Sequence, residues 1–146
     1  MKVSEIMTTE PTTARPDATL GEVATLMKQE DCGAIPVVDG GRLVGIVTDR
    51  DIVVRAIAAG KDPKTTKVRD IMSADPITVA SQDDVKMAEE RMRERQVRRL
   101  PVVDEGRLVG ILVTAQIARR DRASEVGETM EAISRPSDGR ASHARG

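Results

Sequence analysis

The chain has 146 residues, of which 39% are hydrophobic and 32% charged, and its net charge is −1. That length suits one compact domain, and the near-neutral charge excludes an overall field that would attract nucleic acid or an anionic membrane. Phe, Tyr and Trp are absent, which excludes the aromatic stacking platforms of single-strand nucleic-acid binders. No apolar run approaches membrane-spanning length or follows the N-terminus, and one cysteine cannot form an internal disulfide, so we expect a cytoplasmic protein.

The first predicted elements are a short extended piece at residues 11–14 and a helix from Leu20 to about Glu30. Thr19 and Glu22 have the spacing of a capping box at its start. Apolar residues then recur at i, i+3, i+4 and i+7, which is the pattern of one buried helix face.

A hairpin follows, because two β-branched runs at residues 35–39 and 43–47 flank the turn pair Gly40-Gly41. A second helix is predicted to begin at Thr48 or Asp49. Its end is placed near Gly60, whose missing side chain suits a left-handed cap.

The second half of the chain repeats this order at an offset of 65 residues, which sets Val68 on Val3. The core of one copy reads IPVVDGGRLVGIV and that of the other LPVVDEGRLVGIL. The first helix of this second copy is predicted over residues 85–95 with Asp84 as its N-cap. Strands are predicted over 100–104 and 108–113, and a last helix from about Thr114. The predicted divisions are repeat one (1–62), a linker (63–67), repeat two (68–123), and a helix remnant with a disordered tail (124–146).

One repeat of about 60 residues buries too small a share of its surface to be stable alone. We therefore predict an α/β (α+β) fold in which two β-α-β-β-α repeats pack around a pseudo-twofold axis. The cleft between the repeats is the expected functional site.

The repeat unit and its LPVVD-turn-GRLVGI core resemble a tandem pair of CBS domains, a Bateman module, over residues 3–122. With no catalytic or output domain beside the pair, the chain is similar to the stand-alone bacterial proteins of the hypoxic response type. The resemblance implies a regulatory module that binds an adenine nucleotide, AMP or ATP, and performs no catalysis. The alternative is a ligand-free interaction, scaffold or stress-response protein with a relict cleft.

The ribose-binding string of that family is intact in repeat one as Gly45-Ile-Val-Thr48-Asp-Arg-Asp51. Thr48 and Asp51 are the implied ribose-binding residues, because a hydroxyl and a carboxylate one helical turn apart can both face a cis diol. Repeat two has Val113 and Gln116 at the same positions. Thr114 lies one residue late and could substitute only if the strand end shifted register.

A second interpretation of Thr48 and Asp51 stays open, since a Thr-x-x-Asp pattern at a helix start also caps the helix. The two roles are compatible in a protein without ligand.

Repeat two supplies Arg98 and Arg99 where repeat one has Gly33 and Ala34. Guanidinium groups suit phosphate oxygens, and the resemblance implies phosphate binding by these two arginines in the cleft that holds Thr48 and Asp51. The alternative is a solvated edge that pairs with Glu94 or Asp104. The base pocket implied by the resemblance comprises Thr13, Ala34, Ile35 and Pro36.

No pair of a nucleophile and a base is visible, and we predict neither an enzyme, nor a metal site, nor a cofactor. Binding of nucleic acid or membrane is not expected. The second helix of repeat one is apolar almost all round over residues 52–59, whereas its counterpart over 117–122 is charged on one side. That difference predicts a homodimer built mainly through repeat one, with an unidentified protein target as a further partner.

Overall fold

The computed structural model describes residues 1–129, and their side chains through residue 123. The predicted tail beyond residue 129 lies outside the described residues. Residues 124–129, where the sequence predicted a helix remnant, continue the last helix.

Repeat one contains the predicted first helix and hairpin, with small changes of extent. A 3₁₀ turn (Val3–Glu5) and a short strand β1 (Thr8–Thr9) precede helix α1 (Leu20–Glu30), strands β2 (Ala34–Asp39) and β3 (Arg42–Thr48), and helix α2 (Asp49–Asp51). The capping box of Thr19 and Glu22 is confirmed. Residues 11–14 form no strand, although Ala14 makes an isolated parallel bridge to Val37.

Repeat two follows the same plan. Its elements are a 3₁₀ turn (Val68–Asp70), strand β4 (Ser73–Ala74), helix α3 (Val85–Arg95), strands β5 (Arg99–Asp104) and β6 (Arg107–Val113), and helix α4 (Thr114–Thr129). The Asp84 side chain accepts a hydrogen bond from the backbone N–H of Lys86, so the predicted N-cap is confirmed. The predicted α+β arrangement of two repeats is confirmed.

All six strands belong to one antiparallel sheet with the central order β1-β6-β3-β2, in which β4 also pairs with β3 and β5 with β6. The two hairpins meet at Arg42 and Arg107, which pair across β3 and β6. This pair joins equivalent positions of the two repeats, so it lies on the predicted pseudo-twofold axis.

The first segment of each repeat packs on the other repeat. Strand β1 pairs with β6, and β4 pairs with β3. Val3 is fully buried in the core built on Leu100 and Leu112, whereas Val68 is fully buried in the core built on Leu20. We call residues 3–9 and 68–74 the first and second crossover segments. They tie the repeats together through both cores and the sheet.

The close approach of each crossover segment requires a glycine in the strand with which it pairs, which is β6 for the first segment and β3 for the second. A Cβ atom added at Gly45 would lie 2.6 Å from the Met72 sulfur and 2.8 Å from the Ser73 carbonyl oxygen. At Gly110 it would lie 2.7 Å from the Met7 sulfur. The glycine of the repeated string therefore has a packing role in both repeats.

Repeat one departs from repeat two after α2. Its chain continues as a π-helix (Ile52–Ile57), whereas α4 stays α-helical, so the long second helix predicted for repeat one is wrong in type. Ile52 and Ala56 are the buried residues of this segment. Three large apolar side chains on the same segment remain 49% to 57% exposed: Val53, Val54 and Ile57.

Candidate functional site

Thr48 and Asp51 lie together where β3 leads into α2. The Thr48 backbone N–H donates to Asp51 Oδ2 at 2.9 Å, and the Asp51 backbone N–H donates to Thr48 Oγ1 at 3.1 Å. This reciprocal pair is a capping box, so the capping interpretation of these residues is confirmed.

The capping box leaves one carboxylate oxygen of Asp51 with acceptor capacity. Asp51 Oδ1 lies 3.7 Å from the Nε of Arg55, which is an ion-pair distance but too long for a hydrogen bond. Within residues 1–123, Oδ1 accepts no hydrogen bond from a side chain or backbone N–H, and the Asp51 side chain is 15% exposed. A carboxylate oxygen in this state can accept hydrogen bonds from hydroxyl groups.

The equivalent position in repeat two is closed. The Gln116 Oε1 accepts from the Val113 backbone N–H at 2.8 Å, as Asp51 does from Thr48, and its Nε2 donates to Thr8 Oγ1 at 2.5 Å. The strand register is unshifted, because the Thr114 N–H donates to Arg98 as that of Asp49 donates to Gly33. Thr114 therefore does not replace the missing hydroxyl.

Arg99 begins β5, directly opposite Val113. Its guanidinium lies near Cys32 and Asp49 of repeat one. It therefore extends from repeat two toward the end of repeat one that carries Thr48 and Asp51. Arg98 beside it is exposed.

The Arg99 guanidinium is partly desolvated. Burial lowers the pKa of Arg99, and the opposing effects of Cys32 and Asp49 are smaller. Its Nη2 is the one buried side-chain nitrogen or oxygen among the described residues without a hydrogen-bond partner. No ion pair in residues 1–123 joins Arg98 or Arg99 to Glu94 or Asp104. Asp104 instead accepts hydrogen bonds from Ser81.

Cys32, which the sequence did not single out as a site residue, lies beside this arginine at the end of α1. Burial raises the pKa of the Cys32 thiol, while the Ala34 backbone hydrogen bond and the charge of Arg99 act in the lowering direction. The net rise disfavours a thiolate at neutral pH. No sequence signal distinguished this residue, because its contact with Arg99 joins the two repeats.

The four residues of the predicted base pocket differ in exposure. Thr13 is exposed, and Ala34 is 5% exposed. Ile35 and Pro36 have almost no exposed surface, and Ile35 packs in the core of repeat one. Of these four residues, Thr13 alone has an exposed side chain. The base-pocket assignment stays a prediction.

Two open grooves of about 330 and 580 Å³ lie on the helical side of repeat two, along α3 and α4. Neither is lined by Thr48, Asp51 or Arg99. Both grooves have mixed apolar and charged linings, and the residues predicted to bind a nucleotide lie outside them.

A family model described as the CBS domain matches residues 3–57 and 68–122. The CBS domain-containing protein YhcV of Bacillus subtilis is 41% identical over 123 residues, which are 84% of this chain and 87% of that protein. The chain belongs to the CBS-domain family. Hypoxic response protein 1 of Mycobacterium tuberculosis is 37% identical over 90% of this chain and 93% of its own length. The predicted tandem CBS pair and its similarity to the hypoxic response type are confirmed.

Solved structures of CBS proteins have the same fold. Hypoxic Response Protein I, whose crystal structure has two coordinated zinc ions, matches with a TM-score of 0.76 and 38% identity over 82% of this chain and 98% of that one. CBSX2 in complex with AMP matches with a TM-score of 0.76 and 26% identity, over 85% and 98%. The CBS pair of MJ0100, in complex with 5′-methylthioadenosine and S-adenosylmethionine, has a TM-score of 0.73 and 29% identity, over 83% and 99%.

The described residues contain neither a metal-binding cluster nor a membrane-spanning helix. No group of three or more His, Cys, Asp and Glu side chains gathers there in a way that could hold a metal ion. Within the same part of the chain, no helix is long and apolar enough to cross a membrane.

Proposed function

We propose that this CBS pair is a regulatory module that binds one adenine nucleotide, AMP or ATP, in the cleft between its repeats and performs no catalysis. Arg99 carries the proposal: its buried Nη2 lacks a partner, and the guanidinium extends toward the repeat that holds Thr48 and Asp51. A buried donor without a partner is costly, and a phosphate oxygen would satisfy it.

Asp51 supports the ribose half of the proposal through its available Oδ1. CBSX2 and MJ0100 are related proteins whose structures contain AMP, 5′-methylthioadenosine and S-adenosylmethionine. All three ligands carry an adenosine with a cis diol, so a carboxylate acceptor fits the group that they share.

The equivalent cleft on the other side of the axis has Gln116 bonded to Thr8 and has Gly33 and Ala34 in place of the two arginines. It lacks counterparts of the Asp51 carboxylate and of the Arg98 and Arg99 guanidinium groups. We therefore propose one nucleotide per chain.

A ligand-free scaffold is the second candidate, and the present roles of the predicted site residues favour it. Thr48 and Asp51 already cap a helix, and Ile35 and Pro36 are inaccessible. For such a protein the string from Gly45 to Asp51 in repeat one would serve packing and capping alone.

Absorbance separates the two candidates directly. A chain without Trp, Tyr or Phe absorbs almost nothing near 260 nm, so a band in the purified protein reports bound nucleotide. AMP at 100 times its dissociation constant should also add about 2.7 kcal/mol to the free energy of unfolding. A flat spectrum together with no thermal shift in millimolar AMP or ATP supports the scaffold.

We further propose a homodimer in which the π-helical segment of repeat one is covered. Val53, Val54 and Ile57 are exposed there, whereas the equivalent positions of repeat two are Ala118, Arg119 and Arg122. A contiguous apolar face of this kind is typical of an interface. Closed twofold symmetry is the commonest way to cover it.

A further inference from the structure

Arg55 lies between Asp51 and the second crossover segment. Its Nε is 3.7 Å from Asp51 Oδ1, and its Nη1 donates to the Ile71 carbonyl oxygen at 3.1 Å and to Ser73 Oγ at 3.4 Å. The guanidinium is thus held on one side by a segment of repeat two while it faces a carboxylate of repeat one.

Repeat two has no such arrangement. Arg120 stands where repeat one has Arg55, but Gln116 is uncharged and bonds directly to Thr8, the counterpart of Ser73. The bridge through a guanidinium is therefore confined to the repeat with the available carboxylate.

The bridge fixes the orientation of Asp51. The Thr48 N–H holds Oδ2, and the charge of Arg55 attracts Oδ1, so the carboxylate plane is restrained at both ends. Because the contact to Oδ1 is too long for a hydrogen bond, the oxygen keeps its acceptor capacity. Asp51 precedes Arg55 by four residues, and an acid placed before a base at this spacing is the order that favours an ion pair.

We infer that Arg55 is a positioning residue that orients Asp51 toward a ligand diol, and that the second crossover segment holds Arg55 in place. The inference rests on the proposed nucleotide function. A residue of repeat one is then made competent for binding by a contact from repeat two, so separation of the crossover segment weakens diol recognition.

The test compares AMP with 2′-deoxy-AMP by calorimetry. The ratio of their affinities reports the diol alone, because phosphate and base contribute equally to both. In Arg55→Gln the affinity for AMP divided by that for 2′-deoxy-AMP should fall about threefold. That is the size expected for an ion pair with one half-exposed partner. Arg120→Gln is the matched control and should leave the ratio unchanged.

Two further variants exclude a general loss of structure. Ser73→Ala keeps Arg55 but removes one of its tethers, and it should shift the ratio in the same direction by less. In an Asp51→Asn background, Arg55→Gln should have no further effect on the ratio, since the carboxylate that it positions is gone.

Equal losses for both nucleotides in Arg55→Gln would overturn the inference, since a merely structural or long-range electrostatic role lowers both affinities alike. An unchanged ratio with normal wild-type binding would overturn it too, and would leave the proposed function intact. No binding of AMP by the wild type would overturn the proposed function and this inference together.

Discussion

Asp51 and Gln116 stand at equivalent positions of the two repeats, and a side-chain oxygen of each accepts a hydrogen bond from the backbone N–H three residues earlier, at 2.9 and 2.8 Å. The capping role is shared by both repeats. What differs is the remaining polar atom: the Gln116 amide is bonded to Thr8, while Asp51 Oδ1 keeps its acceptor capacity. One repeat has therefore kept a charge that helix capping alone does not require.

This asymmetry predicts opposite results for matched substitutions. Asp51→Asn retains an oxygen for the Thr48 N–H but removes the charged acceptor, so AMP binding should weaken by about 1.5 to 3 kcal/mol. Gln116→Ala should leave the AMP affinity nearly unchanged. Calorimetry on both variants checks the difference, and similar losses at the two positions would contradict a single site.

Arg99 should show a conflict between stability and binding. Arg99→Met replaces a partly desolvated guanidinium with an unpartnered Nη2, so the ligand-free protein should be more stable by about 1 kcal/mol. The same variant should bind AMP and ATP far more weakly and lose little affinity for adenosine. Thermal unfolding and calorimetry measure the two effects. Equal losses for all three ligands would show that Arg99 does not contact phosphate.

Gly45 should tolerate no side chain. Gly45→Ala places a Cβ 2.6 Å from the Met72 sulfur and 2.8 Å from a backbone oxygen, and it should destabilise the protein by about 1 to 3 kcal/mol. Gly21→Ala is the control: its Cβ would meet nothing closer than 3.5 Å, and alanine favours a helix. Chemical denaturation measures both, and a neutral Gly45→Ala would place the second crossover segment elsewhere.

Asp104 should contribute to the acid sensitivity of folding. The Ser81 hydroxyl donates to its Oδ2 at 2.6 Å and the Ser81 N–H to its Oδ1 at 3.0 Å, and these bonds hold the pKa of Asp104 below its ordinary value. The resulting stability is fully present above the unfolded-state pKa of about 3.9. It is lost as the pH falls through the lower folded-state pKa.

Ser81→Ala should therefore be less stable than the wild type at pH 6, and the difference should shrink below about pH 4. Asp39→Asn is the control, because Asp39 is the counterpart of Asp104 in repeat one. Pro16 stands there in place of Ser81 and has neither a hydroxyl nor an N–H to donate. The stability difference between Ser81→Ala and the wild type could instead persist unchanged to pH 2.5, roughly a unit below the ordinary carboxyl value. In that case the difference would come from packing rather than from Asp104.

Light scattering should give a mass near twice 15.8 kDa. Val54→Glu and Ile57→Glu place a charge on the exposed apolar face of repeat one and should yield monomers. Ala118→Glu, at the position equivalent to Val53, should stay dimeric. A wild-type monomer at micromolar concentration would refute the dimer. If both variants remained dimeric, the interface would lie elsewhere on the chain.

The sequence predicted most local structure because local signals carry it: Thr19 and Asp84 cap their helices, and Gly40-Gly41 closes a hairpin. It did not predict the crossover. Val3 and Val68 lie at equivalent positions of similar repeats, so hydrophobic pattern alone does not say which core each one enters. The contact of Gln116 with Thr8 depends on the first crossover segment packing against repeat two, so the sequence did not predict it either.

The π-helix was missed for a related reason. Residues 52–57 have the composition of an ordinary helix, and nothing in their sequence distinguishes a π-helix from an α-helix. Arg55 could have been found, since it lies four residues after Asp51. Its tether to Ile71 and Ser73 required the structure.

The central claim is one equipped nucleotide site per chain, and a calorimetric titration of the wild-type protein with AMP tests it most directly. We expect one site per chain, abolished or severely weakened by Asp51→Asn combined with Arg99→Met and unaffected by Gln116→Ala. Two equivalent sites per chain, or no heat of binding at millimolar AMP in protein freed of nucleotide, would contradict the account.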